Sequence, residues 1–183
     1  MTTWVGVDPG SRWTGICARD GTTLHGWRVI DRLEIEPTSE RPGIHTMEAI
    51  VHAVADLADP ATCRIAVEDM IPPNPHVTRK NGSSIVAVSS MLDVREVIGY
   101  LRCAYPAAVL VRPDSHGSRT LVSYPDGLVT ARERAYALKN KTLLRPAPQG
   151  SFMRHARSAY DIAAAGLVAA RIQLAMSQTG AVN

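Results

Sequence analysis

The sequence predicts an α/β domain built on a mixed five-stranded sheet: an antiparallel meander of three strands, two further parallel strands, and helices on both faces. Three observations carry this reading. Residues 4–8 read as a strand that Pro9-Gly10 stops, and a second strand, residues 13–19, follows at once with no room for a helix between them. Asp20-Gly21 then favours a tight hairpin turn into a third strand, residues 23–30. Residues 63–68 form a short apolar run of the kind a buried parallel strand shows, reached only through a helix-length segment.

The remaining elements follow in order. The acidic, proline-containing stretch 31–42 reads as a loop. Residues 43–57 are helical, because Ile44, Met47, Ile50, Val51, Val54 and Leu57 recur at the three-and-four spacing of one buried face. After the fourth strand, residues 71–82 hold three prolines and three asparagine or glycine residues, too many for regular structure. A helix over 84–103 comes next. Ala87, Met91, Val94, Ile98 and Leu101 line its main stripe, and Ile85, Val88, Leu92 and Val97 widen it beyond what one sheet contact requires, which suggests a helix that also meets another chain. Residues 106–111 supply the fifth strand. A basic segment then carries turn signals at 114–117 and 124–127 and a short helix over 130–141. The last helix, 152–176, is apolar nearly all round and should lie on the sheet, with 177–183 as a frayed tail.

At 183 residues the chain fits one domain, residues 1–176, that needs no disulfide or metal staple. Cys17, Cys63 and Cys103 are odd in number and set among apolar residues, so they read as reduced core thiols of a soluble cytoplasmic protein. No apolar run approaches the roughly 18 residues that cross a bilayer, so no membrane partner is expected. The net charge of +3 hides an asymmetry. Residues 112–157 hold seven Arg and two Lys against three acids, a surplus of six positive charges. Such a segment suits a polyanion. Arg is favoured over Lys throughout, and its planar fork matches phosphate oxygens.

The chemistry concentrates on three carboxylates. Asp8 and Glu68 each end a strand, and those strands should be parallel neighbours; sites in α/β sheets form outside such ends. Asp161 is the lone acid in an otherwise apolar helix, where an unpaired charge is costly. If the three converge, a divalent cation is the ordinary relief of their repulsion. A donor set made of oxygen alone selects Mg²⁺, with Mn²⁺ as substitute. Two such ions can activate a water and stabilise the leaving oxygen of a phosphodiester, and neighbouring cations would hold the backbone being cut. Arg79, Lys80, Arg132, Arg134, Lys139 and Lys141 are the candidate DNA-binding residues.

Val5-Gly6-Val7-Asp8-Pro9-Gly10, Ile65-Ala66-Val67-Glu68 and His155-Ala156-Arg157-Ser158-Ala159-Tyr160-Asp161-Ile162-Ala163, in this order, resemble the RuvC-type Holliday junction resolvases of the RNase H-like superfamily, in a bacterial or bacteriophage version. The likeness covers nearly the whole chain. It implies a homodimer that cuts two opposed strands of a four-way DNA junction and leaves 5′-phosphate ends. Asp8, Glu68 and Asp161 would be the metal ligands, and the helix over 84–103 the dimer contact. The family places a further Asp or His three positions before its last Asp, and Ser158 stands there. Laying the family's His-x-x-Asp pattern on His155 and Ser158 instead would leave Asp161 one turn too far along. Asp161 is the preferred ligand, since a hydroxyl replaces a carboxylate poorly. His155, about 120° around the helix from Asp161, could orient water or phosphate from the first turn. The family's junction-wedging aromatic has no counterpart, and Met70 and Ile71 take its place; an apolar wedge can also part bases. A nuclease for forks or flaps on the same fold, and a junction-binding module without catalysis, are the alternatives. An actin-like nucleotide-binding domain would need a second lobe and a later glycine-rich phosphate loop.

Overall fold

The computed structural model describes residues 2–70, 88–139 and 152–179. Arg79, Lys80 and Lys141 lie outside them, as do residues 84–87 of the expected helix. The five strands are β1 (Trp4–Asp8), β2 (Trp13–Asp20), β3 (Thr23–Asp31), β4 (Arg64–Glu68) and β5 (Val109–Val111), in the spatial order β3-β2-β1-β4-β5. β1 to β3 pair antiparallel, while β4 runs parallel to both β1 and β5. The mixed sheet read from the sequence is therefore the sheet observed.

Alternation along β1 decides the two layers, because successive side chains of a strand point to opposite faces. Val5 and Val7 join Ile16, Ala18, Ile65 and Val67 in a core covered by α2 (Ile44–Leu57) and α3 (Val88–Ala104). Trp4 and Ala66 pack on the other side against Ile162 and Ala163 of α5 (Phe152–Thr179). α5 lies unusually close to the sheet. A Cβ on Gly6 would fall 2.0 Å from the Ala159 carbonyl oxygen, and one on Gly15 would fall 2.1 Å from that of His155. Only glycine admits a helix backbone at that distance.

Several local features depart from the sequence reading. Register places Asp20 opposite Thr23, so Gly21-Thr22 rather than Asp20-Gly21 is the central pair of the hairpin; Gly21 takes the left-handed φ of 54° at its first position. The stretch read as a loop holds a one-turn helix, α1 (Arg32–Ile35). Asp31 caps it by accepting from the Leu33 N–H, and also accepts from the Trp13 indole at 2.7 Å and from Arg12. Glu36 accepts from the Gly43 N–H and the Thr46 hydroxyl, tying this connection to α2. β5 begins at Val109 because Tyr105 to Ala108 forms a hydrogen-bonded turn.

On α3, Val97, Ile98 and Leu101 are buried in the chain's own core, so part of the wide stripe is used within the domain; Leu92 remains 46% exposed. Of the cysteines, only Cys17 is buried, where burial pushes its thiol up to about 12; Cys63 is half-buried and Cys103 exposed. α5 runs to Thr179, and residues 171–177 extend past the sheet and are exposed. By length and mean hydropathy (1.2) its Phe152–Ser177 portion could cross a bilayer, contrary to the expectation from the sequence. Here its first half is instead a core helix with Arg157 and Asp161 buried and paired.

Gly6→Ala is expected to lower stability by about 1–3 kcal/mol, the usual range for overpacking. Gly99→Ala in α3, where a Cβ meets nothing within 4 Å, should raise it by up to about 1 kcal/mol. Urea unfolding of both variants checks the contrast. A pH series tests the corner at Asp31. Burial there disfavours the carboxylate, but hydrogen bonds from Arg12 and Trp13 outweigh it and hold the acid below its ordinary range. That contribution is present above the unfolded pKa of about 3.9 and is lost as pH falls through the lower folded value. Asp31→Asn should flatten this acid limb of the unfolding midpoint.

Candidate functional site

Asp8 and Glu68 meet at the carboxyl end of the parallel pair. Val7 pairs with Val67, so Asp8 and Glu68 occupy the next rung on strands roughly 4.8 Å apart. Both share the face of Gly6 and Ala66, the face that α5 covers. Their like charges interact: burial raises the Glu68 carboxyl above its ordinary range, His116 partly offsets this, and Asp8 raises it further. Each carboxylate has a histidine partner. His155 Nδ1 lies 2.9 Å from Asp8 Oδ2, and His116 Nδ1 lies 2.6 Å from Glu68 Oε1. The hydrogen bond to Glu68 raises the His116 imidazole, against the opposing effect of burial.

His155 reaches Asp8 because of the close helix packing. Asp8 pairs across the strands with Gly15, and the His155 backbone rests directly over Gly15. Its ring stacks in tilted fashion on Trp13, 5.7 Å between centroids. Beside it runs a groove of about 390 Å³, whose mostly apolar lining includes Trp13, Met70, Met91 and Val94. Met70 is half-buried and packs against the core.

Asp161 has partners of its own within the chain. Six residues beyond His155 on α5, it lies ~9 Å further along the helix and about a third of a turn away from it around the axis. Its carboxylate accepts from the Gly117 N–H at 2.9 Å, from the Tyr124 hydroxyl at 2.8 Å and from the Arg119 guanidinium. Both oxygens are thus taken by protein donors. Ser158 is buried on the same helix, under the turn that carries Gly117. Among the described residues, no group of three or more His, Cys, Asp or Glu could hold a metal ion as it stands. The oxygens of Asp8 and Glu68 still suit a divalent ion in chemical type, and their mutual repulsion is what such an ion relieves.

The basic segment is anchored from below. α4 (Ala131–Lys139) starts with a reciprocal cap: Thr130 Oγ1 accepts from the Glu133 N–H, and Glu133 Oε2 accepts from the Thr130 N–H. Glu133 Oε1 accepts from Arg157 at 2.9 Å, and Arg157, wholly buried on α5, also donates to the Leu128 carbonyl. Arg132 and Arg134 stand exposed on α4, Arg134 in an exposed ion pair with Asp126; Lys139 ends the helix.

Thermus thermophilus RuvC matches this structure at 20% identity and a TM-score of 0.50, covering 94% of this chain and 97% of that one. The chain has a RuvC-like fold. A second structure, T. thermophilus RuvC in complex with Holliday junction substrate, matches at 18% identity and a TM-score of 0.50 with the same coverage. No family model and no curated protein matches the sequence. Within the RuvC-like fold, the contact the sequence reading missed is His116. Its neighbours, Asp114-Ser115-His116-Gly117, read as a turn, and the one usable signal was a titratable side chain just beyond a strand end.

Removing Glu133 should expose the cost of the buried cation. Arg157 Nε and Nη2 have no partner among the described residues, so Glu133→Ala leaves an uncompensated charge and should cost about 3 kcal/mol or more in urea unfolding. Glu133→Gln keeps an acceptor oxygen and should cost less.

Proposed function

We propose that the protein is a divalent-metal-dependent endonuclease that cuts branched DNA, with the four-way junction as substrate and 5′-phosphate ends as product. The observation that carries this reading is the pair Asp8 and Glu68, side by side at the carboxyl ends of parallel strands, on a RuvC-like fold and next to a cationic segment. The junction as substrate is supported by the match to a RuvC described in complex with one.

In this reading Asp8 and Glu68 would hold Mg²⁺, or Mn²⁺ in its place, as a two-ion site. When bound, such ions supply an activated water and stabilise the leaving oxygen. The chain's own groups do the rest. His155, 2.9 Å from Asp8, would hold that carboxylate in one orientation. Arg132 and Arg134, exposed on α4, would grip phosphates, Arg134 by giving up its weak exposed pair with Asp126. Met70 stands at the groove beside His155, where an apolar side chain can press on a base step. Two opposed cuts need two sites related by two-fold symmetry, and Leu92 on α3 offers exposed apolar surface for a homodimer contact.

One observation favours a second reading, a junction-binding module without cleavage. Asp161 is occupied by Arg119, and Ser158 offers a hydroxyl where the family has a carboxylate or imidazole.

Incubation with a mobile four-way junction, a fork, a flap and a linear duplex, each with Mg²⁺ or Mn²⁺, separates the possibilities. Junction cleavage is expected, reduced at least about a hundredfold by Asp8→Asn. Cleavage undiminished in that variant, or absent with every divalent ion, overturns the proposal; tight junction binding without cutting selects the module. Arg132→Ala and Arg134→Ala should each reduce the salt dependence of binding by about one unit of slope.

A further inference from the structure

Asp161 and His116 are 45 residues apart in the chain, yet one turn joins them. β5 ends at Val111, and the chain then folds back over α5. Asp114 Oδ1 accepts from the Ser115 N–H, and the Ser115 carbonyl accepts from the Ser118 N–H. Gly117 takes a left-handed φ of 73° and lies so near α5 that a Cβ would fall 2.8 Å from the Arg154 carbonyl oxygen and 3.0 Å from the Ser158 nitrogen. Three donors from this segment converge on Asp161: the Gly117 N–H, the Arg119 guanidinium and the Tyr124 hydroxyl. The Tyr124 hydroxyl accepts in turn from the Arg119 N–H at 3.2 Å, and the Arg119 guanidinium lies over the Tyr124 ring. The residue just before Gly117 is His116, whose side chain is only 11% exposed and meets Glu68 at 2.6 Å.

We propose that Asp161 is the anchor of this turn, and that the turn sets His116 against Glu68, making His116 the positioning residue for one of the two acids of the site. The inference rests on the nuclease reading in one respect: Glu68 is there a ligand of the divalent ion. A glutamate has one more rotatable bond than an aspartate, so an unsupported Glu68 would sample orientations that do not point at an ion shared with Asp8. An imidazole donating from a clamped turn removes that freedom. Histidine and carboxylate partners of this kind orient metal ligands, and their loss typically weakens metal binding about 10- to 100-fold. The role assigned to Asp161 differs from that of a ligand: its charge neutralises Arg119 and binds the turn.

The test uses the full chain and Mn²⁺ alone, with calorimetric titration as readout. His116→Ala should weaken Mn²⁺ binding about tenfold or more while leaving the thermal unfolding midpoint near that of the wild type. His116→Asn places an amide N–H where Nδ1 stood and should restore most of the affinity. Asp161→Asn should weaken binding too, and the double variant Asp161→Asn/His116→Ala should bind no worse than His116→Ala, because the two residues act through one contact. Mn²⁺ binding unaffected by His116→Ala overturns the proposal, as do losses that multiply in the double variant, the result expected of an Asp161 that ligates independently. Imidazole ¹⁵N spectra of the metal-free protein separate this failure from that of the nuclease reading. If the wild type binds no Mn²⁺, the nuclease reading fails. The anchor is then upheld by a His116 Nδ1 resonance displaced in both Glu68→Gln and Asp161→Asn, and overturned by one that stays in place.

Discussion

The distance between α5 and the sheet governs the rest of this structure. Gly6 and Gly15 leave no side chain between the strands and the helix, so the backbone of α5 rests on β1 and β2 at Ala159 and His155. A helix held further out would carry His155 beyond reach of Asp8. The same seating sets the level at which Asp161 and Arg157 emerge on the other flank of α5, and so the level at which the segment after β5 can be bound. Packing of this kind transmits position because interiors are dense and yield little to displacement.

Charge is distributed around that helix in pairs. Asp8 with His155 and Glu68 with His116 stand at the carboxyl ends of β1 and β4; Asp161 with Arg119 and Glu133 with Arg157 stand on the other flank of α5. Glu133 with Arg157 is expensive in isolation, since both ions lose their water, whereas Arg119 keeps about half of its side chain in solvent beside the buried Asp161. Hydrogen bonds lower that cost: Asp161 collects three donors, and Glu133 divides its two oxygens between a helix cap and Arg157. Both pairs tie the cationic segment, residues 112–139 of the described chain, to the helix that also carries His155. The segment suited to DNA phosphates and the acids suited to a divalent ion are therefore referenced to one element.

Much of the fold was legible because it depends on local pattern. Pro9-Gly10, the strand that follows it at once and the turn signal at Asp20-Gly21 announced the meander, and the three-and-four spacing of Met47, Ile50 and Val54 announced α2. Asp8 and Glu68 were readable as a pair because strand ends and a helical crossover fix their side of the sheet. Where the reading missed, the controlling contact was distant or the element too short to carry a period. α1 has four residues, and Asp31 and Glu36 hold it through partners up to 19 residues away. Asp161 was read as an acid that needs a partner, and periodicity could not name the Gly117 N–H, Arg119 and Tyr124, which meet it from 37 to 44 residues earlier in the chain. His116 looked like part of a turn, and it is part of a turn; its neighbour across space is 48 residues earlier.

The amino-acid order by itself determined the succession of strands and the juxtaposition of Asp8 with Glu68, since these follow from the short reach of turns and from a helical crossover read by its 3.6-residue period. Only the tertiary structure decided which acid faces which cation. That choice depends on how closely α5 settles onto two glycines and on where the chain after β5 crosses it. Both are distances between segments far apart in the sequence, set by packing and not by any local preference.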